Sequence, residues 1–531
     1  MYAEADLAIY PHISGLHRWK SAYEQLALAL DFFRKESIGL NSILQQTDAR
    51  DWSGFEGAMQ QIDSVYRSLE ECYLELDRTR VTLGEVRNRS QSLVPVNKLP
   101  AETFAYIVSL ANTECMIEAR HNFANRSLQA LFNTSRHFRR ILKDVPSLWN
   151  HVDLIIDQPN ALDHGRLCLN HSGQLSLRVH ILERRKVFES SQVTDLVDLL
   201  RPYIDRIVSL NFKCSVYFVR RILRELWQNA SSKVQDFSCN LLGGDREHYT
   251  AASRSKFFDL EETSAPFTQN IRKLKLYGPF VWSDKCGYRR LTVLKLQSSA
   301  LPPFIPSHFA DTMAASPDLR SLTVIGIQFQ GTDQAQPAVM PKLEVLDVRL
   351  THGSDLRTVL SCIIPDSSNL ALSVSVMVAG DQQTDDFLGH YIKRSKVTRL
   401  LVESWTRRQA LGQTFLPRFG DELLSVRELA LVDYKMDAFM VEMLSRLSTL
   451  HTLHLMLCRL DPVAFHKSLA TSKIQVVRME SCKSKNLSQG TSESLAGSIP
   501  PIIRQVYPVL GDNEGDLEWP CFTPQVLDES L

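Results

Sequence analysis

Leu450-His-Thr-Leu453-His-Leu455-Met-Leu-Cys458-Arg-Leu460 places apolar side chains at its first, fourth and sixth positions and a cysteine at its ninth. The alternation Leu453-x-Leu455 is that of a short strand with one face buried, because successive strand side chains point to opposite sides. The apolar-x-x-apolar-x-apolar unit recurs along the chain. Its first positions are Ile207, Val234, Ile271, Leu291, Leu319, Leu343, Ala371, Val397, Val426, Leu450 and Ile474, 20 to 37 residues apart. Chance alternation produces one or two such hexads, not eleven at this spacing. A single unit cannot bury its own apolar face, so the pattern predicts units stacked on one another.

The spacing matches the period of about 20–29 residues of leucine-rich repeats, and Cys458 holds the position where that motif turns the chain. Cys482 occupies the same place after Met479. Other units carry Ser299, Thr351 or Tyr434 there, so the array is irregular. Outward positions such as Lys275, Lys295, Thr323 and Arg399 are expected to line one face. Residues 243–267 stretch one interval and read as a surface insertion, and the acidic, Lys- and Arg-free residues 511–531 read as a tail.

Upstream of the repeats the periodicity changes. Leu16, Trp19, Tyr23, Leu26, Leu30 and Phe33 are three and four apart, as on one helix face. Gly39 and Asp51-Trp-Ser-Gly54 interrupt. Ile62, Val65, Leu69, Cys72, Leu76, Thr79, Leu83 and Val86 then follow at heptad spacing, which suggests a coiled coil or a helix folded on its own chain. Pro95 ends this segment. Leu99-Pro100-Ala-Glu102 reads as a helix start, with Phe104, Ile107, Val108 and Ala111 expected on one face. A second apolar face runs Leu128, Leu131, Phe132, Ser135, Phe138, Ile141 and Leu142, and Pro146-Ser-Leu148-Trp149 closes the unit. So small a helical unit exposes much apolar surface and should dock on a partner.

These residues resemble an F-box. The resemblance rests on Leu99-Pro100-Ala-Glu102-Thr-Phe104-Ala-Tyr-Ile107-Val108, on Ser135-Arg-His-Phe138-Arg-Arg-Ile141 and on Pro146-Ser-Leu148-Trp149. Ser135 and Phe138 stand where the family usually has Cys and Trp. The order of segments is similar to the F-box-like families of mushroom-forming fungi. The resemblance implies an adaptor of an SCF-type E3 ubiquitin ligase. In it the F-box-like unit binds a Skp-family adaptor, and through it a cullin-based ligase, while the repeats hold a protein substrate. The adaptor-binding residues it implies are Leu99, Pro100, Phe104, Ile107, Leu148 and Trp149. Phe138 and Ile141 read equally well as internal core.

The expected fold class is therefore α/β. It comprises a helical, possibly coiled segment (1–94), an F-box-like three-helix domain (95–155), an irregular leucine-rich-repeat solenoid (156–483) and a C-terminal cap with an acidic tail (484–531). The 60 basic and 60 acidic residues balance, which argues against a dedicated nucleic-acid binder. No run of about 18 apolar residues predicts a membrane span, and the acidic opening residues do not match a secretory signal. The expected location is cytoplasmic or nuclear. Ten cysteines occur without any Cys-x-x-Cys pair, so no structural zinc hairpin is expected. His451 and His454 have neither a third ligand nor a carboxylate beside them. No phosphate loop, His-Glu-x-x-His or Gly-x-Ser-x-Gly motif is present, so neither catalysis nor a cofactor is expected. Basic clusters at Arg184-Arg-Lys186, Arg220-Arg221 and Lys393-Arg394 could read an acidic target if they converge on the outward face. The alternative to a ligase adaptor is a repeat scaffold without ligase function, self-associating through its N-terminal heptads.

Overall fold

The computed structural model describes residues 11–46, 56–89, 95–118, 124–156, 160–183, 190–227, 233–241, 265–278, 288–297, 303–331, 335–350, 352–376, 382–404, 422–436, 438–460, 472–480, 482–484 and 506–507, with Gln158, Phe280 and Phe465 between them. Arg184-Arg-Lys186, most of the 243–267 insertion and the acidic tail lie outside these residues. The chain divides into two compact units, residues 1–100 and 101–531.

Among its described residues the first unit holds two long helices, α1 (Pro11–Gln46) and α2 (Glu56–Arg89), and a 3-10 turn at Pro95–Lys98. Gly39 does not interrupt α1, because one glycine costs a helix only about 1 kcal/mol. The heptad residues of α2 do not form a closed seam: Val65, Leu69, Leu76, Leu83 and Val86 are 38–61% exposed. On α1, Trp19 and Tyr23 stack with ring centroids 6.2 Å apart, and both are exposed.

The second unit begins with three helices, α3 (Ala101–Glu118), α4 (Ala124–Thr134) and α5 (Arg136–Lys143). A sheet follows, with strands β1 (His151–Ile155), β2 (Leu177–Leu182), β3 (Ile207–Cys214), β4 (Asp236–Leu241), β5 (Lys273–Tyr277), β6 (Val293–Gln297) and β7 (Ser321–Ile325). It continues through β9 (Val345–Leu350), β11 (Leu370–Val376), β12 (Val397–Ser404), β13 (Glu428–Val432), β15 (Thr452–Met456), β17 (Val476–Glu480) and β19 (Val506–Tyr507). Shorter strands, β8 (Ala338–Met340) with β10 (Ile363–Pro365), and β14 (Lys435–Met436), β16 (Arg459–Leu460) and β18 (Lys483–Ser484), form two side sheets. In the fourteen-stranded sheet every strand neighbours the one before it in that sheet, and every pairing is parallel. Parallel neighbours need a crossover of at least about a dozen residues, which the repeat interval supplies. Several crossovers are helical, including α6 (Ala161–His171), α7 (Ser190–Leu200) and α8 (Val216–Trp227).

The sequence hexads lie on these strands, and their apolar positions form two buried rows. Leu210, Phe237, Leu274, Leu294, Leu322, Leu346, Leu400, Leu429 and Leu453 make one, each less than 1% exposed. Phe212, Cys239, Leu276, Leu296, Val324, Val348, Val402, Leu431 and Leu455 make the other. Thiols bind the rungs together: Cys214 Sγ donates to Ile181 O at 3.3 Å, and Cys458 and Cys482 donate at 3.4 Å to Leu431 O and Leu455 O. Burial pushes the Cys214 thiol well up, so it stays protonated and able to donate.

Three expectations change. The sheet starts at β1, inside the span assigned to the three-helix unit, because β1 pairs in register with β2. Ala371/Val374/Val376 is two residues out of register; Leu372 and Val374 pair with Leu346 and Val348, and an irregularity between Leu370 and Ala371 shortens the first interval. Ser135 is not a member of an apolar helix face. It breaks the chain between α4 and α5 and caps α5, its hydroxyl accepting from Phe138 N–H at 3.1 Å.

The residue that follows several strands has a positive φ: Gly278 (90°), Gly326 (65°), Asp433 (58°) and Leu457 (54°). The N–H groups of Gly278, Gly326 and Asp433 donate to Gln297 O, Arg349 O and Met456 O on the next strand at 2.8–2.9 Å. This left-handed residue swings the chain out of the sheet without losing its ladder bond. A Cβ at Gly278 would lie 2.6 Å from Leu241 O. Gly278→Ala should therefore cost about 1–3 kcal/mol in urea unfolding. Leu457→Gly should be stabilising by up to about 1 kcal/mol, because it relieves a left-handed leucine at a half-exposed site.

Candidate functional site

Two surfaces of the second unit can meet partners: the helical module and the outward face of the sheet. The module is held from inside. Phe104 of α3 stacks on Phe138 of α5 at 4.6 Å, and Leu128, Ile141 and Leu142 are buried with them. Trp149 is 1% exposed, its indole Nε1–H donates to Leu142 O at 2.7 Å, and its ring meets Phe132 edge-on at 5.3 Å. Arg139 lies over the same Phe132 ring, its guanidinium carbon 5.4 Å from the ring centre while its Nε donates to Phe132 O at 3.1 Å. Trp149 also sits three positions before Val152 and five before Leu154, so it opens the first rung's hexad as well as closing the module.

The six residues implied by the F-box resemblance are placed differently. Phe104, Leu148 and Trp149 are buried, Leu99 is half-buried, and Pro100 and Ile107 are exposed. Ile107 is not on the Phe104 face, as the sequence suggested; Phe104, Ala105 and Val108 are buried together instead. Ile107 joins Tyr106 and Leu110, 48–64% exposed, in an apolar stripe on the outer side of α3. Tyr106 and Leu110 were not singled out from sequence, although their i, i+4 spacing was visible.

The outward face of the sheet is read along its register. The middle row runs Asp153, His180, Asn211, Ser238, Lys275, Lys295, Thr323, Asp347, Ser373, Leu401, Ala430, His454 and Arg478. Lys275, Lys295 and Thr323 thus share one row as expected, while Arg399 lies in the adjoining row between Ala371 and Glu428. Lys273, Lys275 and Lys295 make the centre of the face basic, with the Lys295 ammonium 5.2 Å from the centre of the Tyr277 ring. Arg349 and Asp347 form an ion pair at 3.0 Å beyond them. On β12, β13 and β15 the character changes: Leu401, Ala430, Val432 and Met456 form a buried apolar cluster.

The two other basic clusters among the described residues lie on helices, not on the strands of this face. Arg220 and Arg221 lie on α8, where Arg221 pairs with Glu225 at 2.8 Å, and Lys393 and Arg394 end the helix Gln382–Arg394. His454 is buried, and burial, with Arg478 beside it, pushes its pKa down to about 4. A cavity of about 270 Å³ lies between β1, α6 and α7, lined by Leu154, Ile156, Ala161, Leu162 and Leu196 with Gln158 and Gln192. Among the described residues its lining offers no acid, base or nucleophile.

No family model matches this chain, and no curated protein matches it. Among solved structures, a chain of the yeast Rad7 and Elc1 complex is similar, with 12% identity and a TM-score of 0.37 over 82% of this chain and 96% of that one. Among the described residues no helix is long and apolar enough to cross a membrane.

Two outcomes follow from this geometry. Trp149→Phe removes a buried donor while keeping an aromatic ring, and should lower unfolding stability by about 1–3 kcal/mol. His454 has a folded pKa below its unfolded value of about 6.5, so unfolding takes up a proton between about pH 6.5 and pH 4. Stability should fall as pH drops through that window, and His454→Gln should flatten the fall in urea midpoints measured at pH 7 and pH 5.

Proposed function

We propose that this chain is a non-catalytic substrate-recognition adaptor of an SCF-type E3 ubiquitin ligase, acting in the cytoplasm or nucleus. In this reading residues 95–155 are an F-box-like domain that binds a Skp-family adaptor and so a cullin-based ligase. The parallel sheet is the wall of an irregular leucine-rich-repeat solenoid spanning about 156–483, and its outward face holds a protein target. The observation that carries the reading is the stripe Tyr106, Ile107 and Leu110. It is large, apolar and exposed on a helix whose Phe104, Ala105 and Val108 are buried in the module. Such a stripe suits helix-in-groove docking, in which a partner covers anchors three and four residues apart. It belongs to the same segment as Leu99 and Pro100, which the F-box resemblance assigns to the adaptor. Phe104, Leu148 and Trp149 would then act from within, by setting the shape of the docking surface.

The basic centre of the sheet face, at Lys273, Lys275 and Lys295, suits an acidic segment of the target. A second reading, a scaffold that self-associates through α1 and α2, is favoured by the exposed heptad residues of α2. The two are separated by what co-purifies: a Skp-family protein with a cullin, or a second copy of the chain alone.

The decisive experiment is capture of a purified Skp-family adaptor. Ile107→Glu with Leu110→Glu should reduce capture at least tenfold, and Leu99→Ala with Pro100→Ala should also weaken it. Exposed positions change stability by only about 0.5 kcal/mol, so thermal unfolding of the Ile107 and Leu110 double variant should stay near that of the parent. Undiminished capture by both double variants would remove the adaptor reading.

A further inference from the structure

The middle row of the outward face opens with two imidazoles and a carboxylate. His151 and Asp153 lie two apart on β1, so both project to the same side, and His180 is the register partner of Asp153 on β2. His151 Nε2 is 3.1 Å and His180 Nδ1 3.5 Å from the single oxygen Asp153 Oδ1. One ligand atom from each of the three lies within 4.8 Å of the other two. The rings of His151 and His180 lie 4.3 Å apart, centre to centre, in a T-shaped arrangement at 73°. The side chains of His151 and Asp153 are 7% and 8% exposed, whereas that of His180 is 33% exposed.

We propose that His151, Asp153 and His180 form a binding site for a divalent first-row transition ion, zinc in particular. Zinc bonds to imidazole nitrogen and carboxylate oxygen at about 2.0–2.2 Å in a tetrahedron, so its ligand atoms stand about 3.3–3.5 Å apart. The two contacts to Asp153 Oδ1 bracket that edge. Two nitrogens and one oxygen form a donor set of intermediate softness, which suits zinc better than calcium or magnesium, whose ligands are oxygens. Arg178, exposed on the adjoining row, opposes any cation, but through solvent.

Three protein ligands leave a fourth position on the His180 side, where the cluster meets solvent. Water fills it in the free protein, and a carboxylate or imidazole of a bound protein could replace that water. Two neutral imidazoles and one carboxylate leave the bound ion with a net positive charge at the end of the row. The site also ties the first rung to the second. Metal would therefore stabilise the start of the sheet in proportion to its occupancy. The proposal does not depend on the ligase reading.

The test uses the full chain stripped of metal with a chelator. Calorimetric titration with Zn²⁺ should show one equivalent bound, accompanied by a rise in Tm. His180→Gln and Asp153→Asn should each weaken that binding about 100-fold or more, since even partners that merely orient ligands are worth about 10–100-fold. His454→Gln, far along the row, should leave it unchanged. X-ray absorption of the zinc-loaded parent should show imidazole with oxygen and no sulfur, a readout that does not require any variant to fold. Absence of a stoichiometric site, binding that survives in both ligand variants, or a zinc–sulfur shell from the cysteines would each overturn the proposal.

Discussion

Everything in the second unit depends on one constraint: a five-residue strand with two apolar side chains on one face cannot stand alone. Leu294 and Leu296 are buried because Leu274 and Leu276 lie on one side and Leu322 and Val324 on the other. Each rung is both supported and supporting. The thiols act at the same level: Cys214 and Cys482 donate to the preceding rung's carbonyl, and Cys458 lies between Leu431 O of the preceding rung and Met456 O of its own. The left-handed residues after β5, β7 and β13 let the chain leave the sheet with its ladder intact. At the start of the array, Trp149 performs two jobs at once. It fills the first rung's leading position and fixes the end of α5 through Leu142 O.

Much of this order was legible because the hexad carries its own period. Where it was missed, the cause is local. The units at β2 and β11 both have a register irregularity at their first residue, between Leu177 and Arg178 and between Leu370 and Ala371. That shortens the interval from three to two, so Leu177/Val179/Ile181 fell outside the pattern and the β11 unit was read two positions late. The β1 unit, Trp149/Val152/Leu154, has normal spacing and was hidden by Trp149's membership of the module motif. The helix α3 was legible as a helix, but its mean apolarity gave no contrast between faces. Ile107 and Phe104, three apart, therefore looked equivalent, and only packing against α5 separates them. The histidine and carboxylate group at β1 and β2 could not be found by spacing in one segment. Its members span 29 residues, and the two strands that carry them meet only through register.

The outward face divides into regions with different chemistry. Polar and imidazole groups open it, lysines follow on β5 and β6, and an apolar cluster lies at β12, β13 and β15 before Arg478 of β17. The same row of the ladder therefore carries unlike contact types in sequence, set by one residue per rung. A substitution at any one of these positions alters the face without touching the apolar rows behind it, because strand side chains alternate.

The agreement of strand order with chain order also bears on how the protein is made. Each new strand finds its partner only 20 to 37 residues back in most cases, so no contact in the sheet waits for a distant segment. The array has low contact order for its length, in contrast to sheets whose central strands come from opposite ends of the sequence. Early rungs can assemble on the ribosome while later ones are still being synthesised, and each finished rung offers its edge as the template for the next.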